Sequence, residues 1–165
     1  MTIIPASASK LFEARFAIDG PHIDNRELWE EVEEYVQGIE CRRAFIALDR
    51  RNKILGYIEC KLEETGLPPG APPVQGLEKL GHIARLGVRE EDRGKKIGTK
   101  LLEEAERWLR SMGRSGAWLD FHSQNVGAIK LYTRGNYLDE VAFPDKKPGN
   151  KEKRLRVIAK KTWAV

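Results

Sequence analysis

The chain has 165 residues, 41% hydrophobic and 33% charged, with a net charge of +4 at pH 7. That length fits a single domain over residues 1–165 with its own core, and charge this modest and interspersed predicts no nucleic-acid partner. No apolar run approaches the roughly 20 residues of a membrane helix, and the start MTIIPASASK lacks a signal-peptide layout, so a cytoplasmic protein without membrane partners is expected. Cys41 and Cys60 lack CxxC spacing and read as reduced thiols, and no cluster has metal-ligand spacing, so no metal is expected.

Residues 10–17 alternate weakly through Leu11, Phe12, Ala14 and Phe16, which suggests a first strand ending before Pro21. Asp24 with Glu27 is a capping-box spacing and opens a helix through Leu28, Trp29, Val32, Tyr35, Val36 and Ile39, with a break near Gly38. Six glutamates on that helix read either as a solvated face or as an acidic wall for a cationic amine. Residues 44–48 and 54–62 flank a polar turn and predict a β-hairpin. Residues 63–76, with four prolines and three glycines, predict a projecting, semi-rigid loop: an active-site flap, an oligomer contact such as a homodimer's, or decoration.

Residues 80–88 form a compact β-type run, and Ile97, Leu101, Ala105, Trp108 and Met112 make one apolar stripe of a helix stopped by Gly113. Between them lie Arg93, Gly94, Lys95, Lys96, Ile97 and Gly98, followed by Thr99 and Lys100. Cations at a helix N-terminus oppose its partial positive charge, so this end calls for an anion held on free backbone N–H groups. The Walker order Gly-Lys-Ser/Thr and the GxGxxG fingerprint are both absent. Downstream, residues 116–121 predict a strand. Asn125 is a good N-cap for a short helix through Ala128, Ile129, Leu131 and Tyr132, with Gly135 at its end. Strands near residues 137–143 and 154–163 flank an exposed loop and complete the order βααβββαβαββ.

Arg93-x-x-Lys96-x-Gly98 after a strand resembles the pyrophosphate motif of the GCN5-related N-acetyltransferases (GNAT), R/Q-x-x-G-x-G/A, with Lys96 in place of the middle glycine. Asn125-x-x-Ala128-x-x-Leu131-Tyr132-x-x-x-x-Tyr137 resembles the same family's second motif, at the right distance. The resemblance implies an acyl-CoA N-acyltransferase fold, α/β with a mixed, mostly antiparallel sheet flanked by helices. It also implies acetyl-CoA as co-substrate and an amine acceptor, whose identity no motif reveals.

By the same resemblance, the backbone of Arg93, Gly94, Lys95, Lys96, Ile97, Gly98 and Thr99 holds the pyrophosphate. Leu86 and Val88 pair with the pantetheine arm, and Asn125 contacts it. Tyr132 is the candidate general acid, or else a packing aromatic, whereas Tyr137 is a core residue. Some relatives carry a catalytic glutamate six residues before the strand end, where His82 stands here. A histidine there could accept a proton at neutral pH, though a structural histidine and a water chain are open alternatives. His122 is a second candidate. A non-catalytic acyl-CoA-binding domain on the same fold is the alternative to an enzyme.

Overall fold

Ser7 and Asp24 open the first two helices. The computed structural model describes residues 1–20, 24–37, 41–62, 66–146 and 154–164. Its first strand, β1, is Thr2–Pro5, and the strand expected over residues 10–17 is instead part of helix α1, Ala8–Asp19. The Ser7 side chain accepts from the Lys10 N–H at 3.3 Å and caps that helix. Leu11, Ala14 and Arg15 share its buried face, and Phe12 stacks on Phe16 one turn on, with centroids 6.3 Å apart. The weak alternation is thus a helical period sampled over too short a window.

Helix α2, Asn25–Gln37, begins at the capping box: Asp24 Oδ1 accepts from the N–H groups of Arg26 (2.8 Å) and Glu27 (3.4 Å). Pro21, Ile39 and the break expected near Gly38 lie outside the described residues. The order βααβββαβαββ is observed, but its leading helices are α1 and α2, not two halves of the stretch after Asp24.

Strands β2, Arg42–Leu48, and β3, Ile54–Lys61, form the expected antiparallel hairpin. Asp49 closes it by accepting from the N–H groups of Arg51 (2.7 Å) and Lys53 (2.9 Å). Then come β4 (Gly81–Val88), α3 (Ile97–Ser111), β5 (Gly116–His122), α4 (Val126–Arg134), β6 (Leu138–Pro144) and β7 (Leu155–Thr162). The hydrogen-bonded strand order is β1-β2-β3-β4-β5-β7-β6. Pairs β1–β2, β2–β3, β5–β7 and β6–β7 are antiparallel and β4–β5 is parallel, which is the expected mixed, mostly antiparallel sheet.

The chain resolves into two compact units. The first comprises Met1–Lys61 and Ile83–Trp108, and its core joins Leu11, Ala14, Leu28 and Val32 to Ala44, Ile46, Leu48, Ile54 and Tyr57. Helix α3 seats its first turns on β3, where a side chain on Gly56 would meet Ile97 and Leu101. Ile97, Leu101 and Ala105 of the expected stripe are buried, with Leu102 and Leu109 completing the face; Met112 lies past the helix end and is exposed. Gly113, at φ 81°, follows as the sequence predicts.

The second unit comprises Leu62–His82 and Leu109–Val165. Its core is Leu77, Leu80, Trp118, Phe143 and Ile158. Residues 63–65 lie outside the described ones. From Gly66 on the proline-rich segment is anchored rather than projecting: Pro68 is buried, and Ala71 and Val74 pack on that core. The prolines stiffen a segment whose apolar side chains still bury. Residues 147–153 of the exposed loop expected near the C-terminus are also outside the described ones, while its described part includes the buried Asp145. No helix among the described residues is long and apolar enough to cross a membrane.

Candidate active site

In the first unit, β4 carries Leu86 and Val88, both half-buried, on either side of Gly87. A Cβ on Gly87 would lie 2.6 Å from the Tyr57 ring, so the glycine lets that aromatic rest against the strand. A 3₁₀ turn at Glu90–Asp92 follows, and the chain then enters the cation-rich turn. Gly94 (φ 79°) and Lys96 (φ 64°) both adopt left-handed backbone there. Lys96, standing where the related motif has glycine, thus keeps the glycine-type conformation and accepts its strain.

Lys100 N–H is the first to close a helical bond, onto the Lys96 carbonyl at 3.1 Å. The N–H groups of Ile97, Gly98 and Thr99 precede it and have no acceptor within the helix. No acid occupies that first turn. The four cations are not equivalent. Lys95 pairs with the buried Asp92 at 2.9 Å, and Arg93 Nε reaches back toward the Val88 carbonyl at 3.4 Å. Lys96 and Lys100 are exposed. What remains is a set of free backbone donors with positive charge beside them, which suits a phosphate group.

In the second unit, Asn125 caps α4 as expected, its Oδ1 accepting from the Ala128 N–H at 3.1 Å. The side chain is exposed. Gly135 follows that helix at φ −77°, and the left-handed residue is the next one, Asn136 (φ 67°). Tyr132 is buried, 8% exposed, against Phe121 (5.6 Å) and edge-on to Tyr137 (5.9 Å). Burial, with the Asp120 charge nearby, pushes its hydroxyl up to about 12, so it holds its proton at neutral pH. Tyr137 is a core aromatic, as expected.

His82 is buried, with its ring stacked flat on Trp118 at 3.7 Å and 4°. Its Nε2 lies 3.8 Å from Asp120 Oδ1. The same carboxylate takes the Arg156 Nη1 ion pair, and Arg156 donates Nε (3.3 Å) and Nη2 (3.1 Å) to Asp145 Oδ2. His122 Nε2 is 3.0 Å from Arg156 Nη2 and 3.5 Å from Asp145 Oδ2. Burial alone would raise the Asp120 carboxyl, yet His82 and Arg156 beside it hold it below its ordinary value.

Sequence reading singled out His82 as a candidate and did not single out its neighbours Asp120, Asp145 and Arg156. Two signals were present: Asp120 interrupts the apolar strand residues 117–121, and Arg156 opens the buried run 156–159. His22, the third histidine, lies outside the described residues.

A second buried ionic cluster, also unforeseen, sits in the first unit. Arg15 Nη1 donates to Glu31 at 2.8 Å, and its Nε lies 3.6 Å from the fully buried Glu59. Arg85 reaches the other Glu59 oxygen at 3.8 Å. Burial pushes the Glu59 carboxyl up to about 7 although both arginines oppose the shift. Among the described residues, no group of His, Cys, Asp and Glu could hold a metal ion.

Three solved structures illustrate the likeness of the whole architecture. The ribosomal-protein-alanine N-acetyltransferase of Brucella melitensis is 15% identical with a TM-score of 0.73, covering 98% of this chain and 99% of its own. Salmonella typhimurium yncA, solved with its cofactor acetyl-CoA, is 14% identical with a TM-score of 0.76, over 100% of this chain and 95% of that one. The NatC complex bound to Gag peptide and CoA contains a chain 18% identical with a TM-score of 0.71, over 99% and 100%. At such identities the likeness shows the fold. The sequence itself matches the profile of the Acetyltransferase (GNAT) family over residues 10–136, which takes in both motifs up to Asn136. The chain therefore belongs to the GNAT family and is an acetyl-CoA-dependent acetyltransferase.

Proposed function

We propose that this enzyme transfers the acetyl group of acetyl-CoA to a primary amine of a small molecule or peptide, by direct attack within a ternary complex. The observation that supports this best is the turn from Arg93 to Thr99. It combines left-handed backbone at Gly94 and Lys96, three N–H groups without helical acceptors and two exposed lysines, inside the family's motif. These residues hold the pyrophosphate. The strand backbone of Leu86 and Val88 pairs with the pantetheine arm, and the Asn125 amide, whose oxygen already caps α4, offers its NH₂ to that arm.

An acceptor ammonium must first lose a proton, which His82, buried against Trp118, receives through water. The neutral amine then forms a bond to the thioester carbonyl carbon as the carbon–sulfur bond breaks. The thiolate gains a proton, the new amide nitrogen loses one, and overall one proton is released to solvent. Tyr132 serves the sulfur. A phenol held near 12 gives its proton to a thiolate of about 8.5 only uphill, by of order 5 kcal/mol. The hydroxyl therefore acts first as a hydrogen-bond donor that strengthens as charge builds on sulfur.

The test is thiol release from acetyl-CoA across a panel of amino acids, polyamines, aminoglycosides and short peptides, with products read by mass. The panel takes in both small-molecule and peptide amines because the similar structures are named for both kinds. At least one amine should gain one acetyl group per CoA released. Tight acetyl-CoA binding without release for any amine would instead support a non-catalytic acyl-CoA-binding domain.

A further inference from the structure

Asp120 links His82 on β4 to Arg156 on β7. Leu119 and Phe121 beside it on β5 are buried, and its carboxylate is engaged on both oxygens: Oδ1 lies 3.8 Å from His82 Nε2, and Oδ2 meets Arg156 Nη1. Arg156 is seated in turn on Asp145. The His82 ring lies flat on Trp118, and its Nε2 edge is turned toward the Asp120 carboxylate. We propose that Asp120 is a positioning residue for acetyl transfer, holding His82 in the orientation from which it accepts the acceptor's proton, with Arg156 as the lock on Asp120. This rests on the reading of His82 as the base.

Chemistry and geometry agree on that role. A carboxylate behind an imidazole fixes its orientation and stabilises the imidazolium formed when it takes a proton. Holding several charges in a largely buried cluster costs desolvation that a purely structural contact in an apolar core could avoid. The Asp120 charge also opposes loss of the Tyr132 phenol proton. One carboxylate thereby biases His82 toward taking a proton and Tyr132 toward keeping one. The charged and titratable groups around it are His82 on β4, His122 on β5, Tyr132 on α4, Asp145 after β6 and Arg156 on β7.

The experiment compares pH profiles of kcat/KM for wild type, Asp120→Asn, His82→Ala and the double variant. His82→Ala should remove the acidic limb. Asp120→Asn should lower the plateau at least tenfold and move the limb to lower pH by about one unit, because an adjacent carboxylate raises a histidine's proton affinity. The double variant should be no slower than His82→Ala, and acetyl-CoA affinity should stay put throughout. Asp120→Glu, which keeps the charge, should recover part of the plateau and serves as the comparison if the Asn variant does not fold.

A limb lost in His82→Ala but unmoved in Asp120→Asn would overturn the positioning role while leaving His82 as base. A limb unchanged in His82→Ala would overturn the base reading, and the positioning role with it. NMR titration of the His82 ring in the free protein supplies a readout without turnover: a value that does not fall in the Asn variant also overturns the proposal.

Discussion

Lys96 is where the phosphate turn can be tested most cleanly. Its φ of 64° is left-handed, which costs an L side chain roughly 1–2 kcal/mol and glycine nothing comparable. Lys96→Gly removes that strain but gives the unfolded chain more freedom, an opposing effect of roughly 0.5–1 kcal/mol. Lys96→Ala keeps the strain and removes the same charge. The difference between the two variants therefore isolates the backbone: Gly should exceed Ala in stability by about 1 kcal/mol, or roughly 3 °C in Tm at this chain length. Differential scanning calorimetry measures this directly. The lost charge should weaken acetyl-CoA binding about two- to fivefold, and equally in both variants, as expected for an exposed cation near a screened anion. A Gly variant that melts below the Ala variant would refute a strained left-handed Lys96.

Reversing two charges at once with Arg93→Glu and Lys96→Glu should weaken acetyl-CoA binding by calorimetry more than tenfold, over about 1.4 kcal/mol, without unfolding the protein. Both side chains are exposed, and unchanged affinity would remove the turn from the cofactor site. Glu59 governs a pH dependence of stability. Burial raises its carboxyl from 4.5 to about 7, so the folded state binds a proton that the unfolded state has lost between those values. Stability from this group is full below pH 4.5, falls as pH rises to 7 and stays lost above, by about 3 kcal/mol. Urea midpoints at pH 5 and pH 8 should show that fall in the wild type and flatten in Glu59→Gln. A wild-type midpoint no lower at pH 8 would mean that Arg15 and Arg85 keep Glu59 ionised.

Much of the fold was legible because its signals are local. Asp24, Asn125 and Gly113 act through caps and stops within a few residues, and each does what its chemistry predicts. Residues 10–17 misled because Leu11, Phe12, Ala14 and Phe16 fit either period over so short a run, and the deciding Ser7 cap lies outside the apolar pattern. The turn at residues 93–99 before α3 was marked by its glycines and charge order, though not the different contacts of its cations. That Lys95 is spent on Asp92 while Lys96 and Lys100 stay exposed depends on where Asp92 is buried. The ionic clusters were invisible for a different reason. Asp120, Asp145 and Arg156 meet across chain separations of up to 36 residues, and Arg15 meets Glu59 from a helix mistaken for a strand. Nothing in a linear pattern pairs such residues, and only their placement in otherwise apolar runs marks them.

The most direct measurement of the proposed chemistry is the turnover of Tyr132→Phe. The substitution keeps the ring that packs on Phe121 and Tyr137 and removes only the hydroxyl. General acid or hydrogen-bond assistance to a departing group is typically worth about 10²–10⁴ in rate. In a thiol-release assay with a saturating amine, kcat should fall at least tenfold, while acetyl-CoA affinity and Tm barely change, because the lost interaction strengthens only as sulfur gains charge. A Phe variant that turns over at nearly the wild-type rate would contradict this chemistry, leaving Tyr132 a packing residue and solvent the proton source.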